Sequence, residues 1–292
     1  MVHVPENRRC RVQLHRALQT TMNHELFPAT EPIQSGDRSE SQRDNQKKSL
    51  EDARPESPAT DSQPSRGSAP IASQTLDRTQ VEALLAGASS ALVFEDCDFE
   101  LADLSRLDLS GCRFTRCSLV ETSFFGAGLS GTQWRNCRGR QADFGAADLH
   151  DASFRSCDLN NTSWRRAKLA SAAFRESKLT GATFEQAATL GLQFFECLLI
   201  GADLRGISFR KAVLERLDFS DADLGGADFR DAVFEGGSLR DANLKNARFE
   251  GADLREADLG GLKLTDAAQF KGATISHTQA ALLVAELGLR VA

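Results

Sequence analysis

The chain has no apolar run long enough to cross a bilayer, and its N-terminus lacks the apolar stretch of a signal peptide. Proline is absent beyond the first quarter: all seven prolines, and both methionines, lie before residue 75. Of five histidines, only His150 and His277 lie outside the N-terminal region. No nucleophile–base pair, phosphate-cradling loop or quartet of metal ligands stands out. These absences lead us to expect no catalysis, no cofactor, no metal and no membrane insertion.

What the chain has instead is a period of five. From Phe94 to Leu264 every fifth residue is Leu, Phe or Trp, broken only at Gly139 and Thr189. That period fits neither an α-helix at 3.6 nor a strand at 2, so it requires a repeat architecture. Two positions before each large residue sits a small or apolar one, as at Ala142, Thr162, Ala222 and Ala252. Between them lies a polar residue, often Asp. The unit reads A-D-L/F-x-x, as in Ala222-Asp223-Leu224-Gly225-Gly226, with two residues pointing in and three pointing out.

This pattern resembles the pentapeptide-repeat family. The resemblance implies an all-β solenoid, a right-handed quadrilateral β-helix in which one unit makes each side and four make a coil. Residues twenty apart then stack. One face reads Phe94, Phe114, Trp134, Phe154, Phe174 and Phe194; the opposite face reads Phe124, Phe144, Trp164 and Phe184. The concentration of aromatics on two opposed faces supports a twenty-residue coil. At about 4.8 Å per rung, nearly nine coils make a rod of roughly 40 Å.

The expected organisation is a disordered tail over residues 1–75, a capping helix over 76–88, the repeat solenoid over 89–275 and a C-terminal helix over 276–292. The stretch 29–74 is too poor in apolar residues to offset its ordering entropy, and Gln13 to Phe27 reads as a transient amphipathic helix. Thr79-Gln80-Val81-Glu82 reads as the capping box of the front helix. At the back the register slips by one at Gln269, giving Phe270 and Ile275. Ser276-His277-Thr278-Gln279 then forms a second capping box, and Gly288 marks the stop.

The chain carries seven cysteines, six of them at inward small positions: Cys97, Cys112, Cys117, Cys137, Cys157 and Cys197. A line of stacked thiols does not converge on a metal, so they read as small apolar fillers in a reducing compartment. Glycines such as Gly126, Gly181 and Gly226 fall at the corners. Residues 1–80 hold 11 basic and 11 acidic groups, so the net charge of −6 belongs to the repeat region. Its first coils are acidic, its middle basic from Arg135 to Lys178, and its last coils acidic again.

The C-terminal segment is similar to the terminal helix of the quinolone-resistance group of the family (Qnr-like and MfpA-like). In that group the helix joins two subunits end to end, and the acidic rod occupies the DNA channel of gyrase or topoisomerase IV. The resemblance therefore implies a DNA mimic that binds and protects those enzymes, in the cytoplasm, without binding nucleic acid directly. Carried over, partner contact falls to Asp218, Asp223, Asp228, Asp231, Asp241, Asp253 and Asp258, and homodimer contact to Leu282, Leu283 and Leu287. The basic middle, the long tail and the front helix depart from the group. They leave open a secreted effector or interaction scaffold whose N-terminus is an export leader, or a structural spacer.

Overall fold

The computed structural model describes residues 69–262, 268–285 and 288–290. The expectations for the tail up to residue 68, for Leu264 and for Leu287 lie outside the described residues. A two-residue strand β1 (Ile71–Ala72) leads into helix α1 (Arg78–Gly87). Eight three-residue strands follow at twenty-residue intervals: β2 (Val93–Glu95), β3 (Arg113–Thr115), β4 (Gln133–Arg135), β5 (Ser153–Arg155), β6 (Ala173–Arg175), β7 (Gln193–Phe195), β8 (Val213–Glu215) and β9 (Val233–Glu235). Helix α2 (His277–Ala285) closes the chain.

All strand pairings are parallel, and from β2 onward they are in register at twenty residues: Phe94 opposes Phe114, Phe114 opposes Trp134 and Trp134 opposes Phe154. The other three faces pair through single bridges at the same spacing, such as Asp103 with Ser123 and Asp148 with Lys168. The twenty-residue coil is therefore the unit of the fold. Each coil has four faces, here numbered from the columns headed by Phe94, Phe99, Leu104 and Leu109. The second residue after each large one has positive φ at nearly every corner. Many of these are not glycine: Arg106 has φ 57° and Asn161 58°. Left-handed backbone costs an L-residue roughly 1–2 kcal/mol, so the ladder of hydrogen bonds above and below each corner must hold it there.

The core is one continuous column of inward side chains. Phe94, Phe114, Trp134, Phe154 and Phe174 stack on the first face, with Phe114 and Trp134 centroids only 3.9 Å apart at 4°. Phe124, Phe144, Trp164 and Phe184 stack on the third. Across the core the two stacks meet edge to face, as for Trp134 and Phe144 at 87°; both arrangements suit the ring quadrupole. Gly139 interrupts the second column because Leu119 and Leu159 fill its place: a Cβ there would lie 3.0 Å from Leu159 Cδ2.

Thr189 marks a change of face. Beyond it the aromatic stack moves to the fourth face, where Phe209, Phe229, Phe249 and Phe270 stack at 5.0, 4.9 and 4.6 Å. Phe194 and Phe209 meet at a tilted 50° across the junction. Among the described residues no bridge joins Ala188 to Ser208, and the first-face sheet divides between β7 and β8. Leu190 beside the break is 84% exposed. The final stacking step spans twenty-one residues, from Phe249 to Phe270, which confirms the one-residue slip.

The two ends differ in part from expectation. Ile71 and Ala72 pair with β2, and Thr75 bridges Asp98, so the first rung begins before residue 76. The front capping box is Asp77 with Gln80, not Thr79 with Glu82: Gln80 N donates to Asp77 Oδ1 at 2.9 Å and Asp77 N to Gln80 Oε1 at 2.8 Å. Aspartate is the stronger N-cap, and Glu82 instead takes an i,i+4 ion pair with Arg78 at 2.8 Å. Val81 is fully buried, so α1 covers the first coil as expected. Arg78 Nη1 reaches the carbonyls of Asp103 and Ser105 at 3.1 and 3.0 Å, capping the open rung. At the back, Ser276 and Gln279 form the expected box. Gln279 Nε2 then donates to the carbonyls of Leu254 and Ala257, both at 2.7 Å.

Candidate functional site

The outward side chains form the candidate functional surface, and their first role is local. Aspartate between the two inward residues accepts the backbone N–H two positions on: Asp98 from Glu100, Asp143 from Gly145, Asp218 from Ser220 and Asp223 from Gly225, at 2.9–3.0 Å. This is an Asx turn, and it explains why Asp recurs at that position. Regular spacing of carboxylates is thus a consequence of corner chemistry before it is a charge pattern.

The carboxylates expected to contact a partner all lie on the lower coils, but the structure brings arginines to several of them. Arg230 grips Asp228 through two hydrogen bonds of 2.8 and 2.6 Å, and Arg255 grips Asp253 at 2.9 and 2.6 Å. Arg240 pairs with Asp258 at 2.8 Å, and Arg210 lies 3.9 Å from Asp231. Asp223 accepts from Asn243 at 2.9 Å, with Arg205 3.7 Å away. Asp218 is held by the neutral Ser220, and Asp241 sits at a corner with φ 55°. Between residues 199 and 262 nine Lys and Arg accompany thirteen Asp and Glu. The lower half is therefore only mildly acidic. Arg230 holds the Asp228 carboxyl down at about 2, and Arg205 likewise lowers Asp203. The signal was in the sequence: Asp-x-Arg recurs at Asp203, Asp228 and Asp253.

The six described cysteines are buried as expected, and most of them make side-chain hydrogen bonds. Among the described residues, first-face corners show no turn hydrogen bond of the kind the other corners make, such as Ala102 N to the Phe99 carbonyl at 2.9 Å. Instead the thiols of Cys117, Cys137 and Cys197 point at the carbonyls of Phe94, Phe114 and Phe174 in the coil before, at 3.4–3.6 Å. Ser177 takes the same place in the column and donates to the Arg175 carbonyl at 2.8 Å. Burial pushes the Cys197 thiol up to about 11 and raises Cys112 as well, so these two are not reactive thiolates; the Cys137 side chain lowers Cys157, which is itself buried. Among the described residues no cluster of His, Cys, Asp and Glu is arranged to hold a metal, and no helix is long and apolar enough to cross a membrane.

On α2, Leu282 is 66% exposed and Leu283 half-buried. The helix thus carries an apolar side chain that its own coil does not cover.

A parallel-stranded β-solenoid with capped ends and a patterned polar surface defines a class of protein built to present its faces. Family models described as pentapeptide repeat region match residues 91–164 and 107–184, and one described as pentapeptide repeats (8 copies) matches 197–236 and 234–268. Together they cover more than half of the chain, which belongs to the pentapeptide-repeat family. The gap between the two matches contains Thr189, where the aromatic stack changes face. Among solved structures the chain is similar to QnrB1, a plasmid-mediated fluoroquinolone resistance protein. A trypsin-treated variant of QnrB1 is 25% identical with a TM-score of 0.60, over 67% of this chain and 97% of that one. Full-length QnrB1 is 22% identical with a TM-score of 0.54, over 75% and 97%. No curated protein matches the chain.

Proposed function

We propose that this is a non-enzymatic binding protein that imitates DNA, docks on DNA gyrase or topoisomerase IV and protects the enzyme from poisons. The similarity to QnrB1 across nearly the whole of that chain carries the reading. It is supported by a stiff solenoid with carboxylates repeating at the strand spacing, where phosphate-like charge can be displayed. Asp218, Asp223 and Asp241 carry more of that display than Asp228 and Asp253, whose charge is neutralised by Arg230 and Arg255. A homodimer joined through α2, burying Leu282 and Leu283, would lengthen the rod and place the lower coils of both subunits at its centre. Such a partner places the protein in the cytoplasm. The test is gyrase supercoiling inhibited by a fluoroquinolone: the purified protein restores supercoiling, and Asp218→Asn with Asp223→Asn and Asp241→Asn loses that effect. Unchanged inhibition across a full titration of the protein overturns the proposal.

A further inference from the structure

Over two coils on either side of Phe195, the first face carries a charge sequence that complements itself in reverse. Its outward residues following each large one read, coil by coil, Glu95, Thr115, Arg135, Arg155, Arg175, Phe195, Glu215, Glu235 and Arg255. The strand register aligns Arg135 with Arg155, Arg155 with Arg175, Arg175 with Phe195, and Glu215 with Glu235. Phe195 stands at the centre, half-buried, with the Arg175 guanidinium 3.9 Å from its ring centroid. The companion column contains no acid and nothing bulky near the centre: Ser153, Ala173, Gln193, Val213 and Val233. Arg255 at the far end is bound by Asp253 in its own coil.

We propose that this face pairs side by side with the same face of a second copy of the chain. A two-fold axis parallel to the strands and level with Phe195 runs the two solenoids antiparallel while keeping the strand direction. Phe195 then meets its own counterpart. Arg175 faces the Glu215 position of the other copy, and Arg155 faces the Glu235 position. At the neighbouring corner Glu176, which Arg155 of its own chain also binds, faces Arg216 in the same way, while Glu196 on the axis meets its own counterpart with its charge offset by Arg216. The match holds for the two coils on either side of Phe195, at a strand spacing of about 4.8 Å on both copies; one coil further out Arg135 faces Arg255, whose charge Asp253 offsets. A guanidinium stacked on an aromatic ring keeps its edge donors for a carboxylate, so Arg175 serves both contacts. The strip spans only a few coils, so the association is of the weak class and falls with salt. This pairing is independent of the proposed contact through α2 and of any topoisomerase binding.

The test uses two full-length variants, R155E/R175E and E215R/E235R, and sedimentation velocity at low and high salt. Each variant alone places like charges opposite one another and associates roughly tenfold or more weakly than the parent. Mixed together, the two variants are complementary at both halves of the strip and associate again. As a second reading, F195C places one thiol on the axis, so a mild disulfide oxidant yields a covalent dimer from the parent background and not from R155E/R175E. Far-UV circular dichroism of each variant confirms that the solenoid is intact. Equal masses for parent, both variants and the mixture show that any dimer uses another surface and overturn the proposal. A strictly monomeric parent, with no F195C dimer, overturns it as well and leaves the arginine column to an anionic partner of another kind.

Discussion

The indole nitrogen of Trp134 donates to the hydroxyl of Thr132 at 2.9 Å, and that hydroxyl donates in turn to the carbonyl of Leu129 at 2.7 Å. Trp164 and Thr162 repeat the arrangement at 2.8 Å. Tryptophan can occupy an aromatic slot in this buried core because threonine replaces alanine two positions earlier and accepts its N–H. Thr132→Val leaves a buried N–H without an acceptor and should cost about 1–3 kcal/mol. Adding Trp134→Phe should recover part of that loss. Urea denaturation of the single and double variants measures both steps.

The carbonyls at the end of the last coil depend on one side chain. Gln279→Ala removes both hydrogen bonds to Leu254 and Ala257, and Gln279→Glu places a carboxylate against two carbonyl oxygens. Hydrogen exchange should show lost protection across the last coil in the first variant and more in the second, with the first coils unchanged. Uniform protection in both variants would mean that α2 is held by other contacts.

Acid should destabilise the protein through its Asp-x-Arg clips. The folded carboxyl of Asp228 titrates at about 2, below the ordinary aspartate value near 3.9, and Asp203 is also lowered. A depressed folded pKa contributes stability that is present above the unfolded value and is lost as pH falls toward the folded one. Melting temperature should therefore be level at neutral pH and decline from about pH 4 toward pH 2. Asp228→Asn should make the decline shallower, and thermal melts over that range read the effect.

The six described cysteines should be silent toward an aromatic disulfide reagent in the native protein and react on unfolding. Cys137→Ser should be tolerated, because serine already fills the same column at Ser177 and donates to a carbonyl there. Thiol titration with and without denaturant checks the first statement, and a melt of the variant checks the second.

The coil, the two main aromatic stacks, the register slip at Phe270 and the Ser276 capping box were all legible from residue spacing. They follow from which side chains can share an interior, and that is periodic. The stack of Phe209, Phe229 and Phe249 is equally present in the spacing but lies on another face than the two opposed aromatic ones. The polar surface was harder to read. Whether Asp228 displays its charge or loses it to Arg230 depends on side-chain reach across a corner, which a five-residue period does not encode. The Asp77 cap is hard to read for a similar reason: two overlapping boxes satisfy the same rule, and the pairing of Glu82 with Arg78 decides between them.

The central claim is that twenty residues make one closed coil, and deleting one coil tests it most directly. Removal of Arg155–Phe174 joins Phe154 to Arg175 and leaves every column in register, with Phe144 brought above Phe184. This variant should melt cooperatively, with Tm lowered by only a few degrees. Removal of Arg155–Leu159 alone turns all later coils by one face and drives Trp164 under the narrow Leu119–Gly139 column, so it should lose several kcal/mol. If the twenty-residue deletion unfolds the protein while the five-residue deletion leaves it intact, the coil assignment is wrong.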